Sequence, residues 1–265
     1  MKDLSWYRVV DVVARRLPRR TAYGLVRPAT AWVYRRRPAL RRTLAANLAR
    51  VLEAGGPDSA TPDLDRLVRR NFENFGKYLV DFFRFCDGTA EPLDRLVTVA
   101  HGEHLDRCRA LGRGILGLTA HIGNWELGAP ILAGRGCPVT AVVWRPPSPE
   151  LDTLFQSRRR NRGIRVVPMG GSTREVLAAL GRNEFVAMLA DRDYSGRGHR
   201  VPFFGRPARL PRGPAVLAVR SGAPLLPAFL LRREDDTYCF EMHPPLLPEP
   251  HQSVDELQFR ICAVL

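Results

Sequence analysis

The chain has 265 residues, 45% of them hydrophobic, and a formal charge of +14 from 41 Lys and Arg against 27 Asp and Glu. That content is enough to bury a full core, as one domain or as one domain with a helical annex, and it excludes a disordered chain. Residues 1–42 hold twelve basic side chains against Asp3 and Asp11, a surplus of +10 that leaves only +4 for everything after them. A basic end of this kind attracts an anionic partner: phospholipid head groups, nucleic acid or an acidic protein. Cysteines at 86, 108, 137, 239 and 262 show no C-x-x-C spacing and read as reduced core thiols in a cytosolic compartment. No signal-peptide pattern is visible, and the longest apolar stretch, 213–231, is broken by Arg220, Pro224 and Pro227, short of the ~20 clean residues of a membrane span.

Residues 4–20 have helical periodicity, with Trp6, Val9, Val10, Val13 and Leu17 on one face and Arg8, Arg15 and Arg19 on the other. Two readings stand: a helix packed on its own domain, or one lying in a membrane interface with its arginines on anionic lipid. A second helix is predicted over 38–52, where Pro38 is followed by Leu40, Leu44, Leu48 and Leu52, and a third over the Phe-rich stretch 64–85. The segment 53–63 between them reads as a loop.

From about residue 95 the pattern changes. Short apolar runs at 114–120, 139–144, 164–168, 185–190, 224–231 and 237–243 read as strands, and helix-like segments follow several of them. Continuous apolar strands with intervening helices predict an α/β fold, a largely parallel central sheet flanked by helices. The expected division is an N-terminal helical, membrane-associating extension over 1–90 and an α/β core over 91–265. The last stretch, 254–265, reads as a helix that stops without a C-cap, as if the sequence were truncated there.

One stretch carries chemistry: GLTAHIGNWELGAP, residues 117–130. On one continuous helix, five residues would set His121 and Glu126 ~140° apart. They meet only if the chain turns between them, and Gly123 with Asn124, a favoured N-cap, suits such a turn. The prediction is a strand ending at Ala120, His121 in the turn, and Glu126 in the first helical turn, at the carboxyl end of a parallel strand where open sheets bind ligands. A carboxylate that accepts a proton from one imidazole nitrogen leaves the other basic, able to deprotonate an external alcohol or water. The competing reading is a core or capping histidine beside a helix-initiating acid. No G-x-S-x-G elbow is present, no H-E-x-x-H, and the histidines at 101, 104, 199, 243 and 251 show no ligand spacing, so no metal is expected; His101 and His104 read as surface helix.

HIGNWE resembles the H-x-x-x-x-D/E hallmark of the lysophospholipid or glycerolipid acyltransferase superfamily, in the form found in its bacterial lipid A late-acyltransferase branch. Residues 190–228 resemble that branch's second block, and ADRD-x-S with FFG-x-PAR is similar to actinobacterial phosphatidylinositol mannoside acyltransferases. With 47–52, 71–85 and 142–163 included, the resemblance covers roughly residues 40 to 230. It implies transfer of a fatty acyl group from a thioester, acyl-CoA or acyl carrier protein, to a hydroxyl of a membrane glycolipid such as a phosphatidylinositol mannoside. No acyl-enzyme and no cofactor is expected. His121 would be the general base and Glu126 its orienting partner. Arg145 falls where the family places a basic residue near acceptor phosphate or sugar; Asp191, Arg192 and Asp193 suit acceptor binding or site support, and Asn124 and Arg158 are further candidates. The plainer alternatives are solvated arginines at 145 and 158, a salt-bridged turn at 191–193, and Phe203 and Phe204 in the core rather than along an acyl channel.

Two departures stand out: the family usually continues with another helix and a Trp-containing tail, and Pro202 occupies a position that is acidic in some mannoside acyltransferases. The resulting expectation is a peripheral enzyme on the cytoplasmic face of the cell membrane, its basic N-terminus against anionic lipid. A lysophospholipid or a lipid A precursor is the alternative acceptor. A lipid-binding relative without catalysis is a further reading, and a nucleic-acid-binding protein is not expected, since no binding motif accompanies the arginines.

Overall fold

The computed structural model describes residues 4–55, 63–85, 93–171 and 173–265. Most of the loop read at 53–63, and Cys86, lie outside the described residues. The chain divides into two compact units, one of Met1–Arg84 with Pro202–Arg206, the other of Phe85–Val201 with Pro207–Leu265.

In the first unit, proline sets the first break. Pro18 has no N–H and disfavours helical geometry at Leu17, so the expected helix over 4–20 is two helices, α1 (Leu4–Arg16) and the start of α2 (Arg19–Arg36). The second was not read from the sequence because Pro28 lies inside it. The carbonyl that loses its partner there belongs to Gly24, on an exposed face open to solvent. α3 (Pro38–Ala54) and α4 (Leu64–Phe85) follow as predicted. The face of α1 that packs inward is Trp6, Val10 and Ala14 at helical spacing, while Val9 and Val12 stay 55% and 44% exposed. Buried polar contacts fix α4: Asp81 accepts from Arg19 Nε (2.9 Å), a terminal Arg19 nitrogen (3.1 Å) and the Tyr23 hydroxyl (2.5 Å). Arg84 donates to the carbonyls of Ala14 and Leu17, both at 2.8 Å, closing the C-terminal end of α1 with a cation.

In the second unit, β1 (Val97–Ala100), β2 (Ile115–Thr119), β3 (Val139–Val143), β4 (Arg165–Pro168), β5 (Phe185–Leu189), β8 (Leu225–Arg232) and β9 (Tyr238–Met242) form one sheet in the order β1-β9-β8-β2-β5-β3-β4. Every neighbouring pair is parallel except β8 and β9. The mainly parallel α/β sheet read from the sequence is the observed one. Helices α5 (Glu103–Ala110), α6 (Trp125–Gly134), α7 (Pro149–Arg160), α8 (Thr173–Gly181), α9 (Gly213–Ser221) and α10 (Val254–Val264) flank it. Strand alternation assigns the faces. Leu116, Leu118 and Val186 pack with α8, α9 and α10, whereas Gly117, Thr119 and Ala187 face α6. Residue 117 has to be glycine, because a Cβ there would stand 2.1 Å from the Phe185 ring.

Besides α2, three strands escaped the sequence reading. β1 is a four-residue edge strand with too short an apolar run to register. The other two form the ribbon of β6 (His199–Phe203) and β7 (Arg206–Leu210), joined by Phe204 (φ 48°) and Gly205 (φ 70°), the positive dihedrals of a two-residue hairpin turn. Phe204 is therefore 42% exposed rather than in a core. No helix among the described residues is long and apolar enough to cross a membrane.

Candidate active site

Strands β2 and β5 are parallel neighbours, with Thr119 opposite Leu189 and the Ala190 amide donating to the Thr119 carbonyl at 2.9 Å. Two residues further on, this register sets His121 beside Asp191. The Asp191 carboxylate accepts from the His121 backbone amide at 3.0 Å and lies 2.9 Å from its Nδ1. An ionised carboxylate only accepts, so Nδ1 carries the hydrogen and Nε2 keeps its lone pair. Burial by itself would raise the Asp191 carboxyl, but hydrogen bonds from the His121 ring and amide, with the electrostatic pull of that ring, outweigh it and hold the group below the usual carboxylate range. The His121 side chain remains 30% exposed, so the pair stands open at the carboxyl rim of the sheet.

The turn that presents His121 rests on β8. Gly123 has φ 61°, and a Cβ there would be 1.9 Å from the Leu230 carbonyl oxygen, to which the Asn124 amide donates at 2.8 Å. Asn124 occupies the N-cap position of α6, as expected, but its side chain makes no cap bond. It is fully buried and its Nδ2 donates to the Tyr238 hydroxyl at 3.1 Å. That burial corrects the expectation of a substrate contact: Asn124 ties the turn to β9. Trp125 follows, its ring edge-on to the imidazole with centroids 5.0 Å apart.

Glu126 stands in the first turn of α6, where the spacing placed it. Its carboxylate faces α7 and takes Arg159 Nε at 3.0 Å and a terminal Arg159 nitrogen at 2.5 Å, with both side chains nearly buried. The orienting acid of His121 is thus Asp191 rather than Glu126. Linear spacing could not show this, because residues 121 and 191 meet only through strand pairing.

The other candidates separate into rim and scaffold. Arg145 follows β3 and is 61% exposed, its Nε 3.8 Å from Asp152. Arg158 is half-buried on α7 beside Arg159. Asp193 builds its own loop, accepting from the amide and hydroxyl of Ser195 (2.9 and 2.6 Å) and the amide of Gly198 (2.6 Å), contacts that keep its carboxyl low. It thereby shapes the 193–198 loop and offers no free oxygen pair to an acceptor. Arg192 lies over the Tyr194 ring at 4.7 Å, and Tyr194 stacks on Trp144 with centroids 5.2 Å apart at 15°. Among the described residues no three His, Cys, Asp or Glu side chains gather to hold a metal ion. Burial drives the Cys108 thiol up to about 11, away from any nucleophilic role.

A family model described as bacterial lipid A biosynthesis acyltransferase matches residues 4–265. The chain belongs to that family. It is 36% identical over 209 residues to a phosphatidylinositol mannoside acyltransferase of Mycobacterium tuberculosis, covering 77% of this chain and 65% of the relative. It is 33% identical to a protein of the same name from Mycolicibacterium smegmatis, covering 77% and 66%. A lipid A biosynthesis palmitoleoyltransferase of Escherichia coli is 26% identical, covering 75% and 65%. The chain therefore spans about two thirds of the length of these relatives.

In this member of the lipid A biosynthesis acyltransferase family, sequence reasoning missed Arg159, Trp144 and Tyr194. Arg159 sits in a run of three arginines at 158–160, and only helix phase distinguishes it: Phe155, four residues before, lies under its guanidinium at 5.8 Å. Trp144 had a signal, an aromatic directly after an apolar strand, and it is 46% exposed.

Proposed function

We propose that the protein transfers a fatty acyl group from a thioester, acyl-CoA or acyl carrier protein, to a hydroxyl of a membrane glycolipid. The observation that carries this reading is the double grip of Asp191 on His121, which leaves Nε2 basic at the open rim of the sheet in a chain of this family. Nε2 takes the hydroxyl proton as the acceptor oxygen bonds to the thioester carbonyl carbon. Collapse of the tetrahedral intermediate breaks the C–S bond, and the imidazolium returns its proton to the leaving thiolate. No covalent acyl-enzyme is formed.

Trp125, edge-on to the imidazole, lines two small cavities of about 50 and 30 Å³ between α6 and the sheet; the smaller has a mainly apolar lining and would take the first carbons of the acyl chain, and the larger also meets the Glu126–Arg159 pair. Trp144, half exposed and backed by Tyr194, offers an aromatic face beside Arg145, a pairing suited to a sugar ring and a phosphate. A phosphatidylinositol mannoside is the favoured acceptor, because the mycobacterial relatives carry that name at higher identity than the Escherichia coli protein. The arginine-rich N-terminal helices would hold the enzyme against the anionic cytoplasmic face of the membrane.

The test incubates the protein with palmitoyl-CoA and separate acceptors: a phosphatidylinositol mannoside, a lysophospholipid and a lipid A precursor. Free thiol and product mass are read together. Acylated mannoside with matching thiol release is the expected result; transfer to another acceptor alone would move the assignment, and vesicle binding without thiol release would end it.

A further inference from the structure

The helical unit contains a cavity of about 290 Å³ walled by all four of its helices, with Trp6, Val33, Leu40, Leu44, Phe72 and Phe75 among its lining. Its polar contribution is slight, and the Thr30 hydroxyl is already spent on the Arg27 carbonyl at 2.9 Å. No residue of the His121–Asp191 rim lines it. The volume is roughly twice the ~150 Å³ that accommodates benzene in an apolar engineered cavity, which leaves room for an unbranched run of about ten carbons. A partner helix is too thick, at ~10–12 Å across with side chains. Left empty, such a space forfeits dispersion contacts on every wall, so a filled state is favoured.

The surroundings name the ligand's other end. Leu40 and Phe75 are 54% and 44% exposed, so the lining reaches the surface. Arg36 and Arg37, both exposed, stand within four residues of Leu40, and the Arg36 guanidinium lies 5.9 Å from the ring of the exposed Trp32. Across residues 5–44 the one acidic side chain, Asp11, is buried and paired with Arg15 at 3.4 Å. Acids of α4 pair with Arg19 and Arg27, but Arg36 and Arg37 have no acidic partner among the described residues, and an apolar slot beside them and the exposed Trp32 fits a lipid with an aliphatic tail and a negative head.

We propose that this cavity takes the tail of an anionic membrane phospholipid whose phosphate meets Arg36 and Arg37. The site goes beyond the acyl-transfer reading and does not depend on it: it seats a lipid that is not itself acylated.

The experiment uses the full chain on vesicles of phosphatidylinositol in phosphatidylcholine, doped with a phosphatidylinositol bearing a diazirine midway along one tail. After irradiation and digestion, adducts are expected on the peptides that contain Val33, Leu44 and Phe72. Leu44→Trp and Val33→Phe fill the space and should each lower those adducts roughly tenfold or more, since every excluded methylene is worth about a factor of four in affinity. Circular dichroism verifies each fold, and the wild-type adduct map decides by itself should either variant unfold. Adducts confined to exposed residues such as Val9, Val12 and Leu25, or undiminished in a folded filled variant, would overturn the proposal. Equal labelling by a diazirine phosphatidylcholine, or by a free diazirine fatty acid with Arg36→Glu/Arg37→Glu indifferent, would overturn its anionic half. His121→Ala should leave the adducts intact, which separates failure here from failure of the catalytic reading.

Discussion

Asp191 holds His121 by two contacts, at the backbone amide and at Nδ1, while the acid of the H-x-x-x-x-E motif, Glu126, is locked to Arg159. The two carboxylates therefore have separable roles. Asp191→Asn should keep the fold and lower kcat by about 10³–10⁴, the scale of loss when an imidazole is released from its correct tautomer. Adding it to His121→Ala should cost little more, because members of one proton-transfer device are not additive. Glu126→Gln should instead lower the unfolding free energy by roughly 1–3 kcal/mol, leaving the nearly buried Arg159 cation short of its partner. Urea unfolding and steady-state rates on both variants check this; a fully stable Glu126→Gln with no turnover would reverse the assignment.

The depressed Asp191 carboxyl makes a statement about acid stability. A group whose folded value lies below its unfolded one stabilises the protein above the unfolded value and loses that contribution as pH falls through the folded one. The gap in stability between wild type and Asp191→Asn should be full at neutral pH, begin to shrink near pH ~3.9, the ordinary aspartate value, and close below it. Denaturant titrations at stepped pH measure it. A gap that stays constant down to the acid limit would mean that the carboxylate charge is not what holds His121.

Of the six strands read from the sequence, β2, β3, β5 and β8 appear because each is a largely apolar run inside the sheet, covered on both faces, while the edge strand β4 and the alternating β9 are only partly buried. His121 and the helix carrying Glu126 were readable for the same local reason, since strand end, glycine and N-cap position are consecutive in the chain. What was not readable is pairing between strands. The seventy residues between His121 and Asp191 vanish only when β2 and β5 align, and local spacing instead suggested the nearer acid. α2 was hidden by Pro28 and the β6–β7 ribbon by its short, arginine-rich strands.

Gly123 should be among the least replaceable residues. Gly123→Ala combines a positive φ with a Cβ driven into the Leu230 carbonyl, and about 2–4 kcal/mol of stability should be lost together with most activity. Gly163 has φ 70° and open space around it, so Gly163→Ala carries the dihedral penalty alone, about 1 kcal/mol. Thermal unfolding of the two variants side by side isolates the contact with β8.

The Cys108 thiol should be chemically quiet in the native state. With its thiol near 11, Cys108 is ionised to only about one part in a thousand at pH 8, and iodoacetamide should modify it far more slowly than after unfolding in urea. Cys108→Ala should retain turnover, as expected of a mechanism without an acyl-thioester on the protein. Mass spectrometry of the native and unfolded chains provides the reading.

Trp144 tests the acceptor side. It is half exposed at the end of β3 and stacked on Tyr194, which in turn lies under Arg192. A sugar ring laid on such a surface gains a stacking contact worth about 1 kcal/mol. Trp144→Ala should therefore raise KM for a mannosylated acceptor several-fold and leave slow hydrolysis of the thioester by water unchanged, since under the proposed mechanism that reaction uses His121 and Asp191 but no sugar. Replacing Trp144 with Phe should restore most of the affinity. If the alanine variant slows acceptor transfer and water hydrolysis in equal measure, Trp144 shapes the catalytic rim itself, and sugar recognition must be sought at Arg145 instead.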